Sequence, residues 1–373
     1  MESAHAQRKN EHLSLAEKDF ALNHQVHPFD QVRLIPNALP EMAVKEVKLK
    51  PAGLALPFEW PFYIEAMTGG SQRTTAVNAS LARLAKQFNL AMATGSMSVM
   101  FNDEAAKESF AVLREENPDG FLMANLGAGA DFKKARQVIN FIDADALEIH
   151  LNPAQELIMK EGDREFYWLE ALAGLVSRLH IPVIVKEVGF GMSQQTISQL
   201  EQIGVRWINV AGTGGTNFAR IEDRRNHELD LSDLVNWGLS TPESLLEAQQ
   251  KSPSTHLIAS GGITCPLDVI KAGVLGAKAV GVAGYFLHLL IKEGEEGLAK
   301  ELHRWQVELP RLMTLVGVRN WDDLYLVDYL LSPELESFTR QRGLVNRRGW
   351  GIPPTSLTRL AKESLANNLP DRP

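Results

Sequence analysis

Eight short apolar runs, each followed by a longer segment with helical periodicity, constrain the fold of this chain more than any other feature. The runs lack regular polar alternation, which is typical of strands in a parallel sheet covered by helices. Eight β/α units in about 220 to 250 residues match the size of a (β/α)8 barrel. The runs are residues 62–67, 90–96, 120–127, 146–151, 182–188, 207–212, 257–263 and 279–284.

The sequence therefore predicts an α/β protein built on a (β/α)8 TIM barrel, with an N-terminal arm and a C-terminal helical extension. A doubly wound open sheet is the alternative. Residues 1–61 hold several prolines before the first run and are expected to form an arm and a rim. Residues 62–331 form the barrel and its closing helices. Residues 332–373 form a tail, whose Arg-rich stretch 340–351 is expected to be solvated or to contact another subunit.

Composition and charge exclude several classes of protein. With 45% hydrophobic and 23% charged residues, the chain has an ordinary globular composition. A formal net charge of −8 argues against nonspecific binding to nucleic acid or to an anionic membrane. The single cysteine, Cys265, rules out an intramolecular disulfide framework and is expected in a turn that starts a helix. Without an apolar membrane span or a signal peptide, the chain is predicted to be cytoplasmic.

Informative residues follow the runs, where the strands of a barrel point their carboxyl ends at one face and build the active site. Paired glycines after runs seven and eight suit a phosphate group, because backbone N–H groups and helix N-termini favour anions. The alternative is that these glycines only permit tight turns. The residues in question are Thr68, Gly69, Gly70, Ser96, Asn125, Gly127, Lys186, Gly261, Gly262, Ala283, Gly284 and the loop 211–222.

Lys186 is the strongest single indication of a ligand. It lies inside an apolar run, where an ammonium group is costly to bury unless it meets an anion or lines a pocket. The alternative is an ion pair with a neighbour such as Glu187. The sequence leaves both interpretations open.

The segment after run four also has two interpretations. Asn152 can cap a helix that begins at Pro153, with Gln155 reaching back as in a capping box. That explanation says less about Glu156 and His150, which are expected at the same end of the barrel. A carboxylate there suits Mg²⁺, which takes one or two protein carboxylates and fills its other positions with phosphate oxygens and water.

Residues 8–12, Arg-Lys-Asn-Glu-His, place two cations and a histidine outside the expected core. By composition alone, such a patch is an ordinary solvated surface. The sequence contains no zinc-protease motif, nucleophile elbow or Walker loop.

In their order along residues 6–331, these motifs make the chain resemble the type 2 isopentenyl-diphosphate isomerases, FMN-dependent (β/α)8-barrel enzymes of isoprenoid synthesis. The motifs are RKNEH, AMTGG, TGS, NLG, HLNPAQE, VIVKEVGFG, AGTGGTNFARIE, SGGI and VAGYFL. The resemblance implies interconversion of isopentenyl and dimethylallyl diphosphate, with reduced FMN as acid and base, Mg²⁺, and NADPH as reductant. It also implies a homo-oligomer, a tetramer or an octamer.

The resemblance further implies roles for single residues. Arg8, Lys9 and His12 would bind the substrate diphosphate. Asn152 and Gln155 would contact the substrate, with Gln155 acting in catalysis by positioning the isoprenyl group or relaying a proton, and Glu156 would ligate Mg²⁺. The implied FMN contacts are Met67, Thr68, Gly69, Ser96, Asn125, Lys186 and Thr216, with Gly261, Gly262, Ala283 and Gly284 at its phosphate.

Three positions depart from the pattern of that family. Met97 and Ser98 stand where many members have Gln-Arg, which puts substrate contacts from these positions in doubt. Thr264 stands where an arginine is common, so the FMN phosphate is expected to depend more on backbone donors.

Two rival hypotheses remain open. An FMN-dependent oxidoreductase of the 2-hydroxy-acid oxidase kind should offer a His and Arg pair near the late strand ends, and SGGITCP offers neither. A noncatalytic flavin-binding or phosphate-binding barrel would need neither residues 8–12 nor Gln155 with Glu156.

Overall fold

Eight parallel strands close into a barrel in the computed structural model, which describes residues 4–22, 27–51, 56, 58–225 and 230–344. In the barrel each strand pairs with its neighbours in sequence, and β2 closes the ring against β9. The strands are β1 Val32–Leu34, β2 Phe62–Ile64, β3 Met92–Ala93, β4 Leu122–Gly127, β5 Ala146–Leu151, β6 Val183–Glu187, β7 Trp207–Asn209, β8 His256–Ser260, β9 Ala277–Val282 and β10 Tyr329–Leu331.

Helices follow the barrel strands and cover their outer face. Short 3₁₀ turns, such as Met97–Phe101, interrupt the connections. The helices are α1 Ala4–Leu22, α2 Gln72–Phe88, α3 Glu108–Glu116, α4 Phe132–Ile142, α5 Pro153–Ile158, α6 Leu169–Arg178, α7 Gln194–Gln202, α8 Phe218–Arg225, α9 Thr241–Glu247, α10 Pro266–Val274, α11 Gly284–Leu315 and α12 Pro333–Gln341.

The predicted barrel is confirmed, and each of the eight apolar runs contains or overlaps one of its strands. Several strands are shorter than their runs, as at β3 and β7, because the runs end in glycine-containing segments that leave the sheet as loops. Gly95 and Gly212 lie in two of these loops. The closed ring rules out the doubly wound open sheet.

Local capping sets the helix boundaries. Ser71 and Asp131 accept hydrogen bonds from backbone N–H groups in the first turns of α2 and α4. α2 ends at Phe88, and the next residue, Asn89, caps it with a left-handed backbone (φ 51°). Cys265 is the residue that precedes α10, so its expected place in a helix-start turn is confirmed.

A second, two-stranded sheet joins the N-terminal arm to the segment that follows α11. β1 pairs antiparallel with β10, with Val32 opposite Leu331. Lys271 Nζ on α10 donates to the carbonyl of Phe29, 2.7 Å away, and ties the arm to the barrel wall. Helix α1 lies against α2, α8 and α11.

The three-part division of the chain stays a prediction, although the β1–β10 sheet links the first part to the second. Within the expected tail, residues 333–341 form α12, and Arg342 pairs with the buried Glu247. Residues 345–373, with most of the Arg-rich stretch, lie outside the described residues.

Two layers of side chains fill the barrel interior. The lower layer is mostly apolar and consists of Tyr63, Met123, Ala146, Ile184, Trp207, Ile258 and Ala279. Two residues further along each strand, side chains point to the same face, and these form what we call the polar layer. The polar layer consists of Glu65, Asn125, Glu148, Lys186, Asn209 and Ser260, all of them buried. It is the floor of the site described next.

Candidate active site at the barrel mouth

A cavity of about 790 Å³ opens above the polar layer, at the carboxyl ends of the strands. Its size is that of a site for a cofactor or drug-sized ligand. It brings together all but one of the site residues predicted from the sequence. Those that line it are Arg8, Lys9, His12, Met67, Thr68, Ser96, Asn125, Asn152, Gln155, Glu156, Lys186, Thr216, Gly261, Gly262, Ala283 and Gly284.

Gly69 is the exception, because it does not appear in the cavity wall. A Cβ on this residue would lie 2.2 Å from Cε1 of Phe110, a buried residue of α3. The need for glycine at position 69 thus comes from packing against α3, which sequence reasoning did not foresee. Its predicted contact with FMN stays untested.

The paired glycines after β8 form a cradle that no other residue fits. Gly261 and Gly262 both have left-handed backbones, with φ of 90° and 76°. A Cβ on Gly261 would lie 2.1 Å from the carbonyl oxygen of Gly212, and one on Gly262 would lie 2.5 Å from Cγ of Pro28. Such close backbone approach, in the loop that leads from β8 to α10, suits the phosphate of a nucleotide cofactor.

Lys186 lies on the cavity floor and pairs with Glu65. Its Nζ is 3.9 Å from Glu65 Oε1 and donates to the carbonyl oxygen of Glu187 at 3.1 Å. Lys186 thus lines the pocket and also forms an ion pair, as the alternative expected, but its partner is Glu65 and not the carboxylate of Glu187. That carboxylate accepts hydrogen bonds from three backbone N–H groups, at Val188, Gly189 and Phe190, because the chain turns back over it after β6.

His150 is a neutral group in this cavity. Burial, then the charges of Lys186 and Lys9, lower its pKa to about 3. Its Nδ1 lies 2.9 Å from Asn125 Oδ1, and Asn125 Nδ2 donates to Glu148 Oε2 at 3.0 Å. The neutral ring therefore fixes the orientation of the Asn125 amide.

The start of α5 differs from a capping box. The helix does begin at Pro153, as predicted, but the side chain of Asn152 makes no capping hydrogen bond. Its Nδ2 instead donates to Glu156 Oε1 at 2.8 Å and lies 3.3 Å from Gln155 Oε1. The capping-box interpretation is wrong, because these amide and carboxylate groups contact one another in the cavity wall.

Glu222 on α8 is a buried carboxylate that the sequence analysis gave no role, although the AGTGGTNFARIE motif contains it. His12 Nε2 lies 2.8 Å from Glu222 Oε1, and Arg225 Nη1 donates to its Oε2 at 2.6 Å. Gln155 Nε2 donates to Oε1 at 3.2 Å. Burial would raise the pKa of Glu222, but these partners outweigh it and lower the pKa to about 2. Glu222 is thus an ionised anchor for His12 and Gln155.

Helix α1 supplies cations to the same cavity. Within the described part of the chain, Nε of Arg8 is buried without a hydrogen-bond partner, which is costly unless an anion joins it. Burial, then the charge of Arg8, lowers the pKa of Lys9 to about 8. An anionic ligand would relieve both penalties.

Glu156 can hold Mg²⁺ only if a bound ligand and water supply the other coordinating oxygens. Its Oε1 accepts from Asn152 and its Oε2 accepts from the backbone N–H of Asp163 at 2.9 Å. Among the described residues, no group of three His, Cys, Asp or Glu side chains is placed to hold a metal ion. Phosphate oxygens and water would have to complete the coordination, as Mg²⁺ commonly requires.

The three departures from the family pattern have distinct surroundings. Met97 is fully buried in the core, whereas Ser98 lines the cavity, with its Oγ 3.3 Å from Oγ of Ser96. Thr264 Oγ1 lies 3.0 Å from Nε2 of His27, a residue of the arm.

Residues 123–328 match the sequence pattern of the FMN-dependent dehydrogenase family. The isopentenyl-diphosphate delta-isomerase of Limosilactobacillus reuteri subsp. reuteri (strain JCM 1112) is 56% identical over 347 residues, 92% of this chain and 99% of that protein. Proteins of the same name from Latilactobacillus sakei subsp. sakei (strain 23K) and Staphylococcus aureus (strain JH9) are 46% and 40% identical, over 92% of this chain and 98% of theirs. The chain belongs to the isopentenyl-diphosphate delta-isomerase family. With the FMN-dependent dehydrogenase match, it is a type 2 isomerase.

Solved structures of other flavin proteins share the fold of this isomerase. A mandelate oxidase variant has a TM-score of 0.59 at 17% identity, covering 86% of this chain and 92% of that one. A flavocytochrome b2 variant has a TM-score of 0.59 at 18% identity, covering 96% and 85%. At such identity the likeness concerns the fold alone and does not favour the oxidoreductase hypothesis. Among the described residues of the isomerase, no helix is long and apolar enough to span a bilayer.

Proposed function

We propose that this type 2 isomerase interconverts isopentenyl diphosphate and dimethylallyl diphosphate by proton addition and elimination in the cavity at the barrel mouth. The observation that carries the proposal is the convergence of three groups in one cavity. These are the glycine cradle of Gly261 and Gly262, the floor lysine Lys186, and the cations Arg8 and Lys9 of α1. A flavin and a diphosphate can therefore lie side by side.

The cradle end of the cavity seats FMN in this proposal. Gly261 and Gly262, in the loop before α10, and Ala283 and Gly284, at the start of α11, hold its phosphate with backbone donors. When bound in reduced form, FMN supplies ring nitrogens that can give and take protons. Lys186 on the floor stabilises negative charge on the ring. The other proposed contacts are Met67, Thr68, Ser96, Asn125 and Thr216.

The opposite end of the cavity holds the substrate diphosphate in this proposal. Arg8 and Lys9 would offset its charge, and His12, whose pKa is lowered by burial, would contact it as a neutral ring. Glu156 would hold Mg²⁺, which would supply further positive charge. His12 is held by the ionised Glu222, so its ring has a fixed position. Burying these cations in the free protein is unfavourable, and binding of the anion would offset part of that unfavourable free energy.

Gln155 lies in the cavity wall beside the proposed diphosphate site. Its amide donates to Glu222 and its oxygen faces Asn152, so its orientation is set from both sides. In this position Gln155 either orients the isoprenyl group or relays a proton. Water must be kept from a cationic intermediate, and the side chains of Met67, Met159 and Trp168 give the cavity apolar walls.

NADPH is proposed as the reductant that brings FMN into its active state. The sequence carries no dinucleotide-binding fingerprint, so the nicotinamide would reach the flavin transiently through the cavity. Assembly as a homo-oligomer and a cytoplasmic location stay predictions.

An assay of the purified protein tests the proposal. We expect a yellow protein that, with Mg²⁺ and catalytic reductant, interconverts the two diphosphates in both directions and incorporates deuterium from D₂O. NADPH should be consumed only in the activation step, and removal of Mg²⁺ by a chelator should stop turnover. NADPH consumption matched to product would support an oxidoreductase, and bound flavin without turnover would support a noncatalytic barrel.

A further inference from the structure

Two carboxylates of the polar layer, Glu65 and Glu148, have no part in the reaction as described so far. Both are almost completely buried, with exposed fractions of 3% and 0%. Buried carboxylates are retained only when protons, cations or hydrogen bonds compensate them. The hydrogen bonds and cations around each carboxyl group therefore indicate whether that group is protonated.

Glu65 is surrounded by donors. Tyr63 Oη donates to its Oε2 at 2.8 Å, Asn209 Nδ2 donates to the same oxygen at 2.6 Å, and the backbone N–H of Ala66 donates to Oε1 at 2.8 Å. The Lys186 ammonium lies 3.9 Å from Oε1. Three hydrogen bonds and a cation stabilise the ionised form of this carboxyl group.

Glu148 has much weaker support. Asn125 Nδ2 donates to its Oε2 at 3.0 Å, while its Oε1 lies 3.4 Å from Tyr63 Oη, whose hydrogen bond to Glu65 is shorter. Burial, then the charge of Glu65, raises the pKa of Glu148, and the charge of Lys186 offsets only part of this rise. A proton on Glu148 can point towards the Tyr63 oxygen, which turns the hydroxyl into a link between the two carboxyl groups.

The charges in the polar layer also indicate that one of the two carboxyl groups is protonated. The layer holds two carboxyl groups and the ammonium of Lys186, while Tyr63 and His150 are neutral because burial raises the pKa of the phenol and lowers that of the imidazole. Two ionised carboxylates this close in a buried layer repel each other, so one proton is shared between them.

We propose that Glu65 and Glu148 carry one proton between them, located on Glu148, and that ionised Glu65 is a positioning residue that holds Lys186 and sets the electrostatic field on the flavin. The effect on the flavin rests on the placement of FMN proposed above; the proton assignment does not. The backbone is adapted to Glu65, because a Cβ on Gly281 of β9 would lie 2.3 Å from Glu65 Oε2.

Glutamine substitutions separate the two carboxyl groups. Glu148→Gln replaces a neutral acid by a neutral amide, so the midpoint potential of bound FMN should change by less than about 10 mV, a twofold change in the two-electron equilibrium. The double variant Glu65→Gln with Glu148→Gln leaves Lys186 without a counter-charge. Its potential should rise by at least about 30 mV, a tenfold change.

Ser260→Ala is the matched control, because Ser260 Oγ donates to Asn209 Oδ1 in the same layer and carries no charge. Its FMN potential should stay within about 10 mV of the wild type. A shift in Glu148→Gln as large as in the double variant would place the charge on Glu148 and overturn the assignment. An unchanged potential in the double variant would overturn the effect on the flavin.

Infrared spectroscopy of the FMN-free protein tests the location of the proton independently of any effect on the flavin. Burial also raises the pKa of Glu187, to about 7, so the test compares the wild type with Glu148→Gln directly. The wild-type minus Glu148→Gln difference spectrum at neutral pH should show the carbonyl band of a buried, protonated carboxylic acid. Absence of that difference band would overturn the assignment, even if the double variant does not fold. If the wild type bound no FMN or had no isomerase turnover, the proposed function would fail. The infrared result would still show whether Glu148 carries the proton.

Discussion

At the scale of single residues, the cavity depends on side chains that hold other side chains. Glu222 fixes His12 and Gln155, and Asn152 fixes Glu156 by a 2.8 Å hydrogen bond. The groups proposed to contact substrate and metal therefore have defined positions before any ligand arrives. Such preorganisation lowers the entropy cost of reaching the reactive geometry.

The proposed metal ligand gives a prediction at this scale. Glu156→Gln keeps the shape of the side chain and loses its charge, so the Mg²⁺ concentration for half-maximal activity should rise at least about tenfold. The flavin spectrum should be unchanged, because Glu156 is proposed to contact the metal and not the flavin. Asp163→Asn is the control, since Asp163 also lines the cavity, and it should change the Mg²⁺ requirement less than about twofold. Loss of flavin in Glu156→Gln would contradict the proposed role.

At the scale of elements, the loops after the strands are held by contacts that leave no room for side chains. Pro28 of the arm packs against both Gly214 and Gly262, where added Cβ atoms would lie 2.4 and 2.5 Å from its ring. The arm is thus part of the wall behind the glycine cradle. Displacing it should disturb the proposed phosphate site as well as the fold.

Two glycines with left-handed backbones test this contact. Gly262→Ala adds backbone strain of about 1 to 3 kcal/mol and also collides with Pro28, so FMN affinity should fall at least about tenfold. Gly276→Ala adds similar strain where no atom lies within 4 Å of the new Cβ. It should lower the unfolding temperature and keep FMN affinity within about twofold. Equal loss of FMN affinity in both variants, measured by fluorescence titration, would argue against the cradle.

The sequence predicted those features of the structure that depend on residues close together along the chain. The apolar runs gave the strands, and Gly261 with Gly262 gave the cradle, because strand propensity and turn chemistry are local. The partner of Lys186 was missed, since Glu65 comes from β2 and reaches Lys186 of β6 only when the barrel closes. A usable signal was present, because several runs carry one polar residue two positions after an interior apolar residue, as in Ala146 and Glu148.

At the scale of the whole molecule, the stability of the protein is coupled to the protonation of its buried layer. The folded protein binds a proton at Glu148, where the pKa is raised to about 8 from the ordinary 4.5 by burial and by Glu65. The unfolded chain releases that proton near the ordinary value. The stabilisation is therefore complete below pH 4.5 and is lost as the pH rises through the folded-state pKa.

Unfolding temperatures of the FMN-free protein at a series of pH values test this linkage. From pH 4.5 to 8 the wild type should lose stability relative to Glu148→Gln, which has no proton to release at this position. Ser260→Ala should follow the wild type in parallel. Parallel curves for the wild type and Glu148→Gln would show that the carboxyl group does not titrate differently on folding.

The pairing of β1 with β10 also bears on how the molecule is made. Val32 meets its partner Leu331 only after the whole barrel and α11 have been synthesised. Contacts so distant along the chain form late, because the loop that they close is long. During translation, the completed barrel would thus wait for β10 before the segment that follows α1 could pair with it, and the wall behind the glycine cradle would be the final part of the enzyme to mature.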